Sequence, residues 1–576
     1  MAEEKAFNVH VFRDGRRALE GRALLSGLAG ALAGLGGAGP ARGALDEGGR
    51  QRALDALLRA GELECILADV GQDRGGAAAR LTDALAEALL GAAVDAGALG
   101  AGLARIEREL PATVRASRPE GFAYYALHPL DFADLARAMV VGSGSGSGRV
   151  AVVGIRSIGT TLSAVVAAAL RQRGVPAERI TVRPGGHPYD RRLELAGPEL
   201  AWVRAQAAAG ADFLGVDEGP GLSGSSFLAV GDALAAAGAP RARVAFLCSR
   251  APDPDALVAP DAARRAREAT WRGVAPASRI PAEAGDFVGG GVWRERWMPD
   301  RSTWPACWPT FERIKHVSRD GRRVFKFEGL GPYGAEVRDR AARVAEAGFG
   351  PAPAEEGDGF LSYPLIEGRP LRAGDLSAAM LERLADYCAF RAAAMPASDP
   401  EPLEEMVRVN AAAVLGVELE KIPALDVVRP VIADGRMMPH EWLDAEGAAL
   451  KVDAASHGDD HFFPGPTDVA WDLAGAIVEW QMSAAARRVF VDRYARASGD
   501  HGVEGRLGPY LVAYALFRAG MCRLAAQAMR SSEEADRLSA DERHYHAVLD
   551  VVWPSRAATS WTPGVRAAPE TVGRSG

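Results

Sequence analysis

The chain is poor in the features that would tie it to a nucleic acid, a membrane or a disulfide framework. Its 67 lysines and arginines are outnumbered by 75 acids, so there is no basic field to hold a polyanionic duplex. Five cysteines in 576 residues (Cys65, Cys248, Cys307, Cys388, Cys522) are odd in number and nowhere spaced like a zinc site or a set of disulfides. They read as buried thiols in a reducing cytoplasm. The longest uncharged stretch near the start, "ALLSGLAGALAGLGGAGPA", is broken by glycines and falls short of the ~20 residues a bilayer span needs. The opening "MAEEKAFNVH" lacks the basic flank and apolar run of an export signal. A cytoplasmic protein with no nucleic-acid or membrane partner is expected. Its length calls for two or three domains, since single domains run to about 100–200 residues.

What is present divides the chain into four. Residues 1–141 are alanine-rich, and "RLTDALAEALLGAAV" repeats leucine and alanine at helical spacing, which predicts a helical N-terminal cap. "GSGSGSG" is a low-complexity linker. Over 149–255 the apolar strands "VAVVGI", "RITVRP", "DFLGV" and "RVAFLCS" alternate with helical stretches, which predicts an α/β domain with a doubly wound parallel sheet. Residues 256–310 form a connector; Trp271, Trp293, Trp297, Trp304 and Trp308, five of the eleven tryptophans, fall on it, too much aromatic surface for a disordered linker. Residues 311–576 make the last domain, which ends in long helices.

The stretch "DFLGVDEGPGLSGSSF" delivers Asp217 and Glu218 from a buried strand to a sheet edge, where ligands of such sheets sit. The loop behind them, with Gly221, Ser223, Gly224, Ser225 and Ser226, offers backbone N–H groups and a helix N-terminus to a phosphate dianion. Two acids ahead of it suit vicinal sugar hydroxyls and would stabilise positive charge at an anomeric carbon. The stretch resembles the signature of type I phosphoribosyltransferases, an apolar strand ending in two acids and a Thr/Ser-Gly-x-Thr/Ser loop. That resemblance implies phosphoribosyl pyrophosphate or a related sugar phosphate as ligand, with Asp217 and Glu218 catalytic. It implies that Arg156, Ser157, Gly159 and Thr160 of "GIRSIGTT" bind pyrophosphate. "RPGGHPYDRR" stands where the family has a mobile loop, which would bring Arg183, His187, Tyr189, Arg191 and Arg192 over the reactive centre. The sequence departs from the family in having Glu for the commoner second Asp and one extra residue before the phosphate loop.

"GLGPYG" fits the dinucleotide fingerprint, but the preceding "RRVFKFEG" alternates charged and apolar residues, whereas the first strand of a dinucleotide fold is apolar throughout. Lys326 on that strand and Glu336, ten positions on in a helical stretch, read instead as the lysine–glutamate pair that holds ATP phosphates in kinases. "GFLSYPLIEGRPL" looks like the hinge of aminoglycoside-phosphotransferase-type kinases. "LKVDAASHGDDHFFPGPTDVAWDLAGAIVEW" resembles their metal-binding strand and Asp-Leu-Ala helix, with Asp453 as Mg2+ ligand and Asp472 as the helix aspartate. The family's His-Gly-Asp, with Asn five residues after the Asp, is missing. "ADGRMMPHEW" stands in its place and offers Asp434 as base and His440 or Glu441 as metal ligand. "HGDDH" offers a second possibility, the His-Gly-Asp itself with Pro464 where the Asn belongs, and its His457, Asp459 and His461 are candidate metal ligands.

The expected molecule is an α/β phosphoribosyltransferase-type sheet under a helical cap, joined to a C-terminal α+β kinase-like domain. Its expected function is that of a bifunctional transferase using a phosphoribosyl ligand, ATP and Mg2+. The alternative is a sensor that binds a phosphoribosyl ligand and carries a degenerate kinase.

Overall fold

The structure is a computed structural model that describes residues 16–36, 46–73, 76–142, 148–274, 279–400, 402–419, 422, 424–445, 447–459, 463–529 and 532–553. Most of "GSGSGSG", the opening decapeptide and His461 lie outside them.

Five parallel strands form the first sheet, in the spatial order Ala177–Val182, Val150–Ile155, Asp212–Val216, Val244–Cys248, Thr270–Gly273. Side chains alternate between its faces. Ala151, Val153 and Ile155 pack with Phe213, Phe227, Val230 and Phe246 on one side. Val152, Leu214, Val216 and Leu247 pack with Leu162, Val165 and Val166 of the Ile158–Gln172 helix on the other. Both faces are covered, so the three inner strands are apolar between their ends. Chain order reverses between Val150–Ile155 and Asp212–Val216, and the carboxyl ends of these two strands are therefore the switch point at which open α/β sheets bind ligands.

The N-terminal helices Glu47–Asp69 and Ala77–Leu89 cover the Ile158–Gln172 helix. Their approach is close: a Cβ on Gly61 would strike Thr161 Oγ1. Arg179 on the edge strand is buried in ion pairs with Glu64 (2.7 Å) and Asp83 (2.6 Å) of the same helices. The cap is not purely helical, because Arg16–Glu20 and Thr113–Ser117 pair as an antiparallel ribbon.

A second, antiparallel sheet has the order Ala284–Phe287, Lys315–Ser318, Arg323–Phe327, Phe360–Pro364, Ala354–Gly357. Phe325, Phe327 and Phe360 on it join the same core as the N-terminal helices. The remainder is helical, built around Trp442, Trp471, Trp480, Tyr387 and Tyr514, all at most 1 % exposed. Between this helical part and the antiparallel sheet lies a cavity of ≈ 220 Å³. Trp293, Trp297 and Trp308 of the connector form part of its wall. Among the described residues no helix is long and apolar enough to cross a membrane.

Candidate functional site

The cavity is built on the hairpin Lys315–Ser318/Arg323–Phe327. Alternation turns Phe325 and Phe327 into the core and leaves Lys326 facing the cavity. Register places Lys315 directly opposite Lys326. Like charges so placed repel unless an anion lies between them, and Asp453 does: its two oxygens accept from Lys326 (2.6 Å) and Lys315 (3.1 Å). Lys326 also reaches Ser456 Oγ (3.0 Å) and Glu328 (3.0 Å). Burial would push the Asp453 carboxyl up, but Lys315 and Lys326 hold it well below the usual range. Asp453 is ionised, and one carboxylate serves two ammonium groups.

Two expected roles are corrected here. Glu336 does not hold Lys326; on the helix Gly331–Glu346 it is half-exposed and bound to Arg118 at 2.5 Å, since the N-terminal region packs against that helix. Asp434 is not a base facing the cavity. It is 1 % exposed, accepts from Tyr387 Oη at 2.5 Å and lies under the chain. Asp472 on the helix Ala470–Glu479 accepts the N–H groups of Asp434 (2.8 Å) and Gly435 (3.0 Å) and fixes this turn. Arg436 lines the cavity and binds Glu441 at 2.9 Å.

His440 is not among the described residues spaced to share a metal. Its ring stacks on Trp293 (5.5 Å between centroids, 19°), and burial lowers its pKa to about 3, which keeps it neutral. Glu441 does meet Asp434 and His457, with ligand atoms within 4.8 Å of one another. A magnesium ion does not fit this set, because the Lys451 ammonium already lies 2.8 Å from Glu441 and 3.4 Å from Asp434. Lys315, Arg436 and Lys451 were not singled out in the sequence; the opposed positions of a hairpin could have exposed Lys315.

The second candidate site lies at the switch point. Asp217 follows its strand and accepts the backbone N–H groups of Glu218 and Gly159, which joins it to the "RSIGT" loop. A Cβ on Gly159 would strike Val216 O, so only glycine allows this approach. Ser157 stands at φ 113°, a strained conformation of the kind that collects at ligand loops. Thr160 is buried in the first turn of the Ile158–Gln172 helix, its hydroxyl without a partner. The acid pair is divided. Glu218 lies against Gly121 and accepts its N–H, and burial, with Glu120 and Asp217 nearby, raises its pKa.

In the glycine–serine loop Gly221 and Gly224 stand at φ 56° and 70°, with Gly224 at the N-cap of the Ser225–Ala236 helix; Ser226 lies in that helix's first turn. The Ser223 and Ser225 hydroxyls donate to Pro188 O (3.0 and 2.5 Å), so the hairpin Gly185–His187/Asp190–Arg192 is folded down on them. Within the hairpin His187 packs on Tyr189, and Arg191 acts on Asp217. Two arginines are corrected. Arg192 is 84 % exposed and its ion pair is with Asp190. Arg156 reaches to Asp69 (3.4 Å) at the C-terminal end of the Glu47–Asp69 helix, where cations are favoured. Arg183 binds Asp69 (3.1 Å) and Cys65 there, yet also donates to Arg156 O of the loop (3.0 Å) and acts on Asp217.

Burial lifts the Asp217 carboxyl from 3.8 to about 7, against those N–H bonds. The fold prefers the protonated acid, so its stabilising effect is full below about pH 4 and is lost as pH rises through about 7. Asp217→Asn fixes a neutral group. Its melting temperature is expected to gain on that of the wild type across this window, and a constant difference between the two would contradict the assignment.

No protein-family model and no curated protein matches the chain. Among solved structures, it is similar to a choline/ethanolamine kinase family protein from Mesorhizobium loti at 14 % identity, covering 41 % of this chain and 85 % of that one, TM-score 0.31. It is similar to choline kinase LicA from Streptococcus pneumoniae at 12 % identity, covering 42 % and 89 %, TM-score 0.30. A third is macrolide 2'-phosphotransferase MphH from Brachybacterium faecium at 19 % identity, covering 40 % and 88 %, TM-score 0.27.

Proposed function

We propose that the protein handles phosphorylated small molecules at two sites: a kinase-like cleft that clamps the phosphates of a nucleotide, and a phosphoribosyltransferase-like site at the end of the parallel sheet. The observation that carries the reading is the opposed pair Lys315 and Lys326, bridged by Asp453, with Arg436 lining the same cleft. Asp453, with Glu328 on Lys326, fixes these cations in the cavity wall, where an anionic ligand suits them.

At the sheet end the reaction would break the bond between the ribose anomeric carbon and pyrophosphate and form one to an acceptor. Asp217 would face the positive charge that develops on the sugar, and the two loops with their helix N-termini would hold the phosphates. This order of strand, acid, loop and helix at a switch point supports the phosphoribosyl reading.

In the cleft we assign binding before transfer, because Asp434 is sealed and Arg436 faces the cavity in its stead. A second reading, phosphoryl transfer, is favoured by Asp541. It lines the cavity, and burial raises its pKa, as suits a proton acceptor. Thermal melting with a panel of nucleoside phosphates and phosphoribosyl pyrophosphate tests the whole, since a ligand bound to the native state raises stability by mass action. The proposal expects both classes to raise the melting temperature, additively when present together. No shift with any nucleotide would reject the cleft, and no shift with phosphoribosyl pyrophosphate would reject the sheet-end site.

A further inference from the structure

We propose that the cleft takes a nucleoside polyphosphate without a divalent metal, its own cations standing where the kinase resemblance places magnesium. This deepens the nucleotide reading and rests on it for the ligand. The metal question is separable.

Asp434, Glu441 and His457 have the spacing of a metal-binding set. Lys451 fills it. Its ammonium lies 2.8 Å from Glu441 Oε2 and 3.4 Å from Asp434 Oδ1, and donates to Asp453 O at 3.1 Å, three oxygens around one covalently tethered cation. The side chain is 0 % exposed, so it has no solvated position to which an incoming ion could push it. Asp434 and Glu441 outweigh burial and keep it charged.

The other carboxylate oxygens are also taken. Glu441 Oε1 pairs with Arg436 at 2.9 Å, and both oxygens of Asp453 pair with lysines. A dication at this set would meet an ammonium, a guanidinium and two further lysines before any free oxygen.

Two buried atoms on cavity-lining residues stay open: Arg436 Nε, a donor, and His457 Nδ1. One imidazole nitrogen offers a dication a single ligand beside the cations already in place. A phosphate supplies what this donor and the shared lysines lack, whereas a metal supplies more of what is already there. Magnesium complexed to the ligand lowers its charge and should not tighten binding.

Two measurements test this. ATP is titrated calorimetrically into the wild type in excess EDTA and in excess magnesium. The expected dissociation constant in EDTA is equal to or lower than that in magnesium, and a tightening of about tenfold or more by magnesium would overturn the proposal. Separately, Mn2+ binding to the nucleotide-free protein is followed by electron paramagnetic resonance in the wild type, Glu441→Gln, Lys451→Met and the double variant. The expectation is no Glu441-dependent Mn2+ in the wild type, and a bound Mn2+ gained in Lys451→Met that Glu441→Gln removes. Glu441-dependent Mn2+ in the wild type would overturn the proposal. If Lys451→Met does not fold, the comparison of wild type with Glu441→Gln still decides. If ATP binds in neither buffer, the nucleotide reading fails while the Mn2+ comparison still decides the metal question.

Discussion

Replacing Lys326 with methionine is expected to weaken nucleotide binding about 10- to 100-fold, the effect of losing one charge-assisted hydrogen bond of ~1.5–3 kcal/mol. Lys326 is 6 % exposed and reaches Asp453 at 2.6 Å, so the lost interaction is poorly screened by solvent. Asp453 would keep Lys315 at 3.1 Å, while the buried Glu328 would lose its lysine and keep Tyr363 Oη (3.1 Å) and Arg313 (3.9 Å), so the melting temperature of the variant is read alongside its affinity. Lys315→Met should act similarly, and the double variant should lose more than either alone. Glu336→Gln is the informative control. Kinase logic assigns that residue to the lysine, whereas here it binds Arg118, so affinity should be unchanged. Calorimetric titration of the four variants against the wild type checks the set, and a loss in Glu336→Gln as large as that in Lys326→Met would restore the lysine–glutamate pair.

The second large effect belongs to the sheet end. Asp217→Asn should lower pyrophosphate release from phosphoribosyl pyrophosphate by about 10²–10³-fold while changing ligand affinity little, because the carboxylate matters most when the sugar carries positive charge. Arg191 and Arg192, adjacent in sequence, should part company. Arg191 acts on Asp217, and its loss should reduce turnover; Arg192 is 84 % exposed, and its loss should not. Release assays with amine, nucleobase and phosphate acceptors read both. Absence of release from the wild type with every acceptor would favour the sensor reading, in which the same loops bind and nothing is transferred.

The sequence announced the parallel sheet because strands buried on both faces have nowhere to put a polar side chain, and "VAVVGI" and "DFLGV" accordingly carry none between their ends. The edge strand Thr270–Gly273 was missed for the converse reason, since its side chains alternate between exposed and half-buried. Lys326 was legible from alternation alone. Its partner Lys315 was not, because the register of a hairpin depends on two strands and a turn. Arg156 and Arg183 stand where the family resemblance implies ligand cations. Both bind Asp69, 87 and 114 residues away in sequence, in a helix whose packing no local pattern reveals. In "ADGRMMPHEW" the search for a base settled on the nearest aspartate, and only the burial of Asp434 under Tyr387 disclosed that Arg436 faces the cavity. The division of the acid pair could not be foreseen either, since Glu218 is claimed by Gly121 from the N-terminal region.

The helix Glu120–Ala123 touches both sites. Gly121 meets Glu218 of the sheet-end site, and two residues on Ala123 O accepts from Arg313 at 2.9 Å. Arg313 lies 3.9 Å from Glu328, and Glu328 pairs with Lys326. The two candidate sites thus stand at either end of one short run of polar contacts.

The phosphate clamp is the centre of the account, and phosphorus-31 resonance reads it directly. ATP is recorded in EDTA with the wild type and with the Lys315→Met/Lys326→Met variant. The account predicts that the wild type broadens or shifts the phosphate signals and that the double variant leaves them as in free ATP. Equal perturbation by both proteins would contradict it, because the phosphates would then be held elsewhere.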